Sequence, residues 1–174
     1  GATSDAFRWI NYTPQELIRR MNLIKQWGGN FINFWIKPND IKNKLILVDQ
    51  VVDWAEQNGL YISFSPITNE TINGLGSPYD KKNDQIMQFL ANKYKDKTNI
   101  LYGLGAEPQH ITYEDWVNRA TEVATGIRSV NPSAVLILPG TEFNNFHDVE
   151  KNKLPFDNVI YSVSRYLGKN DKHI

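Results

Sequence analysis

The sequence contains no cysteine, so neither a disulfide framework nor a zinc–thiolate site can form. It also carries no net charge, because nineteen Lys and Arg residues balance nineteen Asp and Glu residues. A balanced chain lacks the basic surface that binds nucleic acids or acidic membranes, so neither is an expected partner. No apolar run approaches the roughly 20 residues of a membrane span. The first residues, GATSDAFRWI, lack the charged-then-apolar order of a signal peptide.

The composition is that of a folded domain. Hydrophobic residues make up 41% of the chain and aromatic residues 12%, which excludes a disordered protein. With 174 residues the chain is long enough for one domain with a core and too short to presume two. No linker or low-complexity tract divides it. We therefore treat residues 1–174 as one domain.

Five short apolar runs, rich in β-branched and aromatic residues, predict the strands. They are nearly continuous rather than alternating, which is typical of strands buried on both faces of a parallel sheet. The runs are FINFWI (31–36), YISFS (61–65), ILYGLG (100–105), AVLIL (134–138) and VIYSV (159–163).

Four amphipathic helical patterns alternate with these runs, as in right-handed βα units. Thr13-Pro14-Gln15-Glu16 forms a capping box with proline at the first helical position, and Gly28-Gly29 closes the helix that follows. Thr112, with Asp115 three residues on, caps the fourth helix. The stretch 139–158 has the least pattern, and at most a short helix is expected there, near 148–153. The apolar stripes are Leu17, Met21 and Ile24; Leu45, Val48, Val52 and Ala55; Ile86, Leu90 and Tyr94; and Trp116, Ala120, Val123 and Ile127.

Two α/β architectures fit this alternation. A doubly wound open sheet suits the length better, because a (β/α)8 barrel usually needs about 250 residues. However, a nucleotide-binding open sheet should carry a glycine-rich phosphate turn, and neither GxGxxG nor a P-loop occurs. We expect no cofactor. We also expect no metal, since no pair of His or carboxylate residues has a spacing such as HExxH.

The chemistry of parallel α/β folds gathers at the carboxyl ends of the strands. Glu70, Glu107 and Glu142 follow three of the predicted strands, so three carboxylates could face the same cleft at the carboxyl ends of the strands. A glycosidase needs two, one as general acid and one as nucleophile or base. The competing interpretation is that Glu107, which precedes Pro108, is an ordinary loop residue.

Other side chains near these strand ends suit a sugar ligand. His110 could tune the pKa of Glu107 or contact substrate, or it could simply be solvated. Flat aromatic faces beside polar groups suit sugar rings, although core packing is the slightly favoured interpretation of Trp35. Trp9, Trp27 and Trp54 lie in helix-side or terminal patterns, which predicts packing roles for them. The aromatic residues near the strand ends are Trp35, Trp116, Phe143 and Tyr166.

The chain resembles the cellulase-like family 5 glycoside hydrolases, which belong to a clan of (β/α)8 barrels. In that family the segment before the fourth strand ends in Asn-Glu-Pro, whose Glu is the general acid/base, and the resemblance gives this role to Glu107. It also implies an incomplete TIM barrel with about strands 2 to 6 and an edge of strand 1. The resemblance is collinear through QWGGNFINFW, VVDWAEQNGLYISFS, FLANKYKDKTNILYGLGAEPQ, IRSVNPSAVLILPG and LPFDNVIYSVSRY.

Three positions depart from the family pattern. Ala106 stands where the family has the Asn that hydrogen-bonds the sugar 2-hydroxyl, and Asn33 replaces the Arg that orients the nucleophile. The His-x-Tyr after strand 6 is Ser164-Arg165-Tyr166, which keeps the Tyr and loses the His. The family's nucleophile belongs on a seventh strand, which is absent here. We therefore expect this chain alone to be inactive.

The resemblance implies a retaining hydrolase of a β-linked polysaccharide or oligosaccharide, at the cell surface or outside the cell. The alternative is a catalytically inactive carbohydrate-binding or structural module of a surface assembly. A third hypothesis, a doubly wound ligand-binding domain, would need the missing phosphate turn. An incomplete barrel exposes sheet edges and apolar interior, so a further polypeptide or a partner chain is expected to complete it. The predicted substrate-binding residues are Tyr166, Trp35, Glu142, His110 and Asn33.

Overall fold

The computed structural model contains one six-stranded parallel sheet with helices along one face. It describes residues 2–3, 9–66, 81–105, 108, 111–141 and 153–162. The strand order is β1-β2-β3-β4-β5-β6, so each strand pairs with the next one along the chain. A doubly wound sheet reverses its strand order at a switch point, whereas a barrel does not. The strands are β1 Ala2–Thr3, β2 Phe31–Ile36, β3 Tyr61–Pro66, β4 Ile100–Gly103, β5 Val135–Pro139 and β6 Val159–Ser162.

All five predicted strands are present, with small shifts at their ends. β2 has the predicted bounds, whereas β4 ends two residues earlier than predicted, at Gly103. β1 pairs Ala2 with Ile32 and Thr3 with Asn33, in agreement with the expected edge of a first strand.

The helices begin and end where local signals predicted. The hydroxyl oxygen of Thr13 accepts from the N–H of Glu16 at 3.2 Å, and that of Thr112 accepts from the N–H of Asp115 at 3.1 Å. Each such N-cap contributes about 1 kcal/mol. Gly28, after the first helix, has a φ of 80°, the left-handed conformation that glycine adopts without strain. The helices are α1 Pro14–Gln26, α2 Pro38–Asn43, α3 Leu45–Gln57, α4 Lys81–Lys93 and α5 Tyr113–Val130, with a 3₁₀ turn at Trp9–Asn11.

One helix was not predicted, and one predicted helix lies almost entirely outside the described residues. The six-residue α2 was not predicted, because it is too short to show an apolar stripe. The helix expected near 148–153 lies, except for Lys153, outside the described residues.

The prediction of strands buried on both faces is right for β4 and for β3 beyond Tyr61, and wrong for β2, β5 and β6, where the two faces of the sheet differ in burial. Along β2, buried residues alternate with half-buried ones, because the helices cover one face of the sheet. On the opposite face, which we call the inner face, Tyr61 is 50% exposed and Ile160 is 46% exposed. The helix-side residues, each at most 4% exposed, are Ile32, Phe34, Ile62, Phe64, Ile100, Tyr102, Leu136 and Leu138.

A row of packed aromatic rings stabilises the helix side of the sheet. The ring centroids are 4.8 Å apart for Trp9 and Phe34, 6.2 Å for Phe34 and Phe64, and 6.4 Å for Phe64 and Tyr94. Burying each ring contributes roughly 2 kcal/mol. Trp9 therefore packs as predicted. Trp27 does not, because it lies at the end of α1 with 81% of its surface exposed.

Candidate functional site

The described residues contain two of the six predicted site residues. Asn33 and Trp35 lie on β2 and are fully described. Glu107, His110, Glu142 and Tyr166 lie outside the described residues, so their roles stay predictions. The site is therefore built from the two described side chains and from the backbone that flanks the others.

Asn33 lies on the inner face and is held by two serine hydroxyls of β3. Its Oδ1 accepts from Ser63 Oγ at 2.7 Å and from Ser65 Oγ at 2.9 Å. Both serines are buried, and Ser63 is the direct register partner of Asn33. Asn33 also takes part in a further interaction. Because both hydroxyls donate to one oxygen, the orientation of the amide is fixed.

Gly103 completes this polar cluster by leaving room for it. A Cβ at Gly103 would lie 2.2 Å from Ser65 Oγ and 2.9 Å from Ser65 Cβ. β3 and β4 can therefore keep the hydroxyl between them only if residue 103 has no side chain. This cluster was not predicted from the sequence. The sequence does show two serines at alternate positions of an apolar strand. That Asn33 is their partner follows only from the register of β2 and β3.

Trp35 lies on the same inner face, two residues further toward the carboxyl end of β2. Its side chain is half-buried and is not part of the core between sheet and helices. Trp35 is therefore not part of the helix-side core, and a contact with sugar stays a prediction. Its carbonyl accepts from the Trp9 indole N–H at 2.7 Å, which fixes the backbone at this strand end.

Trp116 was predicted to offer a flat face to a sugar, and the structure corrects this. Its side chain is 0% exposed, so no ligand can stack on it. Its indole N–H donates to the carbonyl of Pro139 at 2.7 Å. Phe143, the neighbouring candidate, lies outside the described residues.

The chain reaches Glu107 and Glu142 from neighbouring strands. β4 and β5 pair in parallel, and their ladder continues to the N–H of Leu104, which donates to Ile137 at 2.9 Å. Glu107 follows β4 and Glu142 follows β5 along the chain. Neighbouring strands lie about 4.8 Å apart. The ends of β4 and β5, which precede Glu107 and Glu142 along the chain, therefore lie side by side.

Charged groups of the described chain lie mainly on the helix surface. Hydrogen bonds from Arg19 and Arg20 hold the pKa of the Glu16 carboxyl at about 2, on the outside of α1. Burial raises the pKa of Tyr102 to about 12, on the helix side of β4. Within the described part of the chain, no three His, Asp or Glu residues form a metal-binding group.

A cavity of about 270 Å³ lies along α1, lined by Trp9, Leu17, Ile24, Trp27 and Phe34 among others. Its floor is the helix side of β2, which is the face opposite Asn33 and Trp35. It is therefore separate from the candidate site. None of the described helices is long and apolar enough to cross a membrane.

Comparison with solved structures defines the fold class. The catalytic domain of Thermobifida fusca endoglucanase Cel5A superposes with a TM-score of 0.77 at 19% identity, covering 94% of this chain and 57% of that one. A variant of that domain in complex with cellotetraose gives a TM-score of 0.76 at 19% identity, with the same coverage. The chain therefore has the α/β barrel-type fold of these domains, with part of the barrel present.

Sequence comparison defines the family. The family described as Cellulase (glycosyl hydrolase family 5) matches residues 2–173. Endoglucanase A of Butyrivibrio fibrisolvens is 28% identical over 99% of this chain, which spans 42% of that relative. Endoglucanase MaCel5A of Microbulbifer sp. is 30% identical over 87% of this chain, which spans 29% of that relative. The chain belongs to glycosyl hydrolase family 5, as the resemblance implied, and spans less than half the length of these relatives.

Proposed function

We propose that the chain is part of an endoglucanase that cleaves β-linked glucan with retention of configuration, and that Glu107 is its general acid/base. The observation that carries this proposal is the family match over residues 2–173. The position of Glu107 in the sequence supports it, because Gly105 and Pro108, on either side of it, follow β4 at the carboxyl edge of the sheet. This edge is where barrel enzymes hold their catalytic groups.

The proposed reaction has two steps. Glu107 first protonates the leaving glycosidic oxygen while a second carboxylate attacks the anomeric carbon and forms a glycosyl-enzyme. Glu107, now a carboxylate, then removes a proton from the water that releases the sugar. The two carboxyl groups must be about 5 to 5.5 Å apart. By family resemblance the nucleophile lies on a seventh strand, outside this sequence.

The inner face offers the proposed contacts with the sugar. Trp35 is half-buried there, so part of its indole can cover a sugar ring. The fixed amide of Asn33 can hydrogen-bond a sugar hydroxyl, and we assign similar contacts to His110, Glu142 and Tyr166. The neighbour that binds cellotetraose supports a cello-oligosaccharide as the ligand.

We further propose that more polypeptide completes the barrel. Tyr61 and Ile160 are 50% and 46% exposed on the inner face, and β1 and β6 are the outer strands of the described sheet. Exposed apolar side chains and open strand edges favour association with further strands. A polysaccharide substrate favours a location at the cell surface or outside the cell.

A catalytically inactive carbohydrate-binding module is the second candidate. The departures at Ala106, Asn33 and Ser164 favour it, because each replaces a polar side chain that the family pattern places at the active site. Binding without turnover would then be the function.

Hydrolysis by a chain extended through the seventh strand tests the proposal. We would measure new reducing ends from soluble β-1,4-glucan, β-1,3-glucan and mannan, using Glu107→Gln and, as a matched control on the surface of α5, Glu122→Gln. Loss of a general acid should lower the rate about 10²- to 10⁴-fold, while Glu122→Gln should change it little. Equal rates for both variants would contradict the role of Glu107. Glycan binding without hydrolysis by the unmutated chain would support the module.

A further inference from the structure

The buried indole of Trp116 lies between the carboxyl ends of two neighbouring strands. Gly105 follows β4 and comes two residues before Glu107, while Pro139 ends β5 and comes three residues before Glu142. Trp116 touches Gly105 and bonds to the carbonyl of Pro139. A single side chain thus contacts the chain shortly before each of the two carboxylates.

The contact with Gly105 leaves no space between ring and backbone. A Cβ at Gly105 would lie 2.8 Å from Cη2 of Trp116, which is closer than real side-chain carbons approach. The backbone therefore rests directly on the edge of the indole. Any shift of this ring must shift the chain just before Glu107 as well, because close-packed atoms have no free space to absorb it.

The contact with Pro139 continues the pairing between β4 and β5. The last described ladder bond runs from the N–H of Leu104 to the carbonyl of Ile137 at 2.9 Å. Two residues further along β5, the carbonyl of Pro139 accepts from the Trp116 indole at 2.7 Å. A buried carbonyl at a strand end needs such a donor.

Trp116 also fixes the far end of the segment that contains Glu107. It lies in the first turn of α5, and its backbone N–H donates to the carbonyl of Thr112 at 3.0 Å, inside the predicted cap. The chain thus leaves the sheet at Gly105, passes through Glu107 and returns with Trp116 against the same glycine. The contact between Trp116 and Gly105 therefore joins the two ends of the segment 105–116.

We propose that Trp116 is a positioning residue that fixes the carboxyl ends of β4 and β5, from which the chain continues to Glu107 and to Glu142, relative to each other. This inference rests on the proposed function, in which these carboxylates face the substrate. Trp116 itself, being fully buried, touches no substrate. Its two contacts, with Gly105 and with the carbonyl of Pro139, hold both strand ends in one arrangement.

Trp9 provides a matched control. It is 2% exposed, and its indole N–H also donates to a strand-end carbonyl at 2.7 Å, that of Trp35. That carbonyl belongs to β2, two strands away from β4. Trp116→Phe and Trp9→Phe therefore remove equivalent hydrogen bonds, and they should lower the melting temperature by similar amounts.

The test follows the protonation of both carboxyl groups by ¹³C NMR, with signals assigned through Glu107→Gln and Glu142→Gln. We expect Trp116→Phe to move both titration midpoints by about 0.5 pH unit or more, a roughly threefold change in the acid constant. Trp9→Phe should leave both midpoints within about 0.1 pH unit. Gly105→Ala, which presses a methyl group against the ring, should move the same two midpoints. Unchanged midpoints in Trp116→Phe and Gly105→Ala, or equal shifts in Trp9→Phe, would overturn the proposal.

Kinetics on the extended chain give a second readout. A misplaced general acid lowers kcat with little change in KM, so Trp116→Phe should lower kcat about tenfold and leave KM within about twofold. The NMR titration needs no turnover. An extended chain that fails to hydrolyse any glucan would therefore contradict the proposed function, while the titration would still decide the role of Trp116.

Discussion

The two faces of the sheet differ in composition and in burial, although they share the same strands. On the helix side of β2, Phe34 is completely buried in a row of aromatic rings. On the inner side of the same strand, Asn33 is hydrogen-bonded to two serines, and Trp35 is half-buried. Stability therefore comes mainly from one face, which leaves the other free to carry polar groups. We infer that the inner face is the functional one.

Truncation of the same residue type on opposite faces tests this comparison most strongly. Phe34→Ala removes a ring with 0% exposure and should lower the free energy of unfolding by about 3 to 5 kcal/mol. Phe31→Ala, three residues earlier on the inner face where the side chain is half-buried, should cost less, about 1 to 2 kcal/mol. Urea denaturation of both variants measures the difference. Equal losses would show that the two faces do not differ in this way.

Gly103→Ala tests the close approach of β3 and β4 on the inner face. The new methyl group would collide with Ser65 Oγ, so the free energy of unfolding should fall by about 1 to 3 kcal/mol. Ser65→Gly should relieve this loss when the two changes are combined. Gly126→Ala is the control, since a Cβ there meets nothing within 4 Å and the helix should gain about 0.5 to 1 kcal/mol. A Gly103→Ala variant as stable as the unmutated chain would contradict the steric argument.

Asn33→Ala tests whether the polar cluster stabilises the inner face. It leaves the buried hydroxyls of Ser63 and Ser65 without their shared acceptor, which should cost about 1 to 3 kcal/mol. Ser65→Ala removes one donor and leaves Ser63 bonded, so it should cost about 0.5 to 1.5 kcal/mol. Thermal unfolding gives both values. If Asn33→Ala costs no more than Ser65→Ala, the two serines are not held through one oxygen.

The smallest expected effect lies on the outer surface, away from both faces. The pKa of Glu16 is lowered from 4.5 to about 2 by hydrogen bonds from Arg19 and Arg20. A lowered pKa in the folded state stabilises the protein above the ordinary pKa, and this contribution is lost as the pH falls from 4.5 toward 2. The melting temperatures of the unmutated chain and Glu16→Gln should therefore differ slightly at pH 7 and converge near pH 2. A constant difference over this range would contradict the pKa shift.

Much of the fold could be predicted because its signals are local. The strand FINFWI and the caps at Thr13 and Thr112 each depend on a few consecutive residues, and all three were predicted correctly. Ser63 and Ser65 were missed because their partner, Asn33, lies 30 and 32 residues away and becomes visible only through the register.

Trp116 shows how the site could be misread from the sequence. It belongs to the apolar stripe that predicted α5, which already indicated burial. Its closeness to Glu107 along the chain nevertheless suggested a place beside the substrate. In a helix the direction of the side chain decides the contact, and the first turn of α5 turns this indole toward the sheet.

The catalytic role of Glu107 is tested most directly by replacing it with Ala in the extended chain and adding azide to an aryl cellobioside assay. An aryl leaving group needs little acid assistance, so the glycosyl-enzyme should form and then accumulate for lack of a base. Azide needs no base to attack, and it should restore turnover and yield a glycosyl azide with the configuration of the substrate. A Glu107→Ala variant that turns over at the unmutated rate without azide, or yields an azide of inverted configuration, would contradict a retaining mechanism with Glu107 as its acid/base.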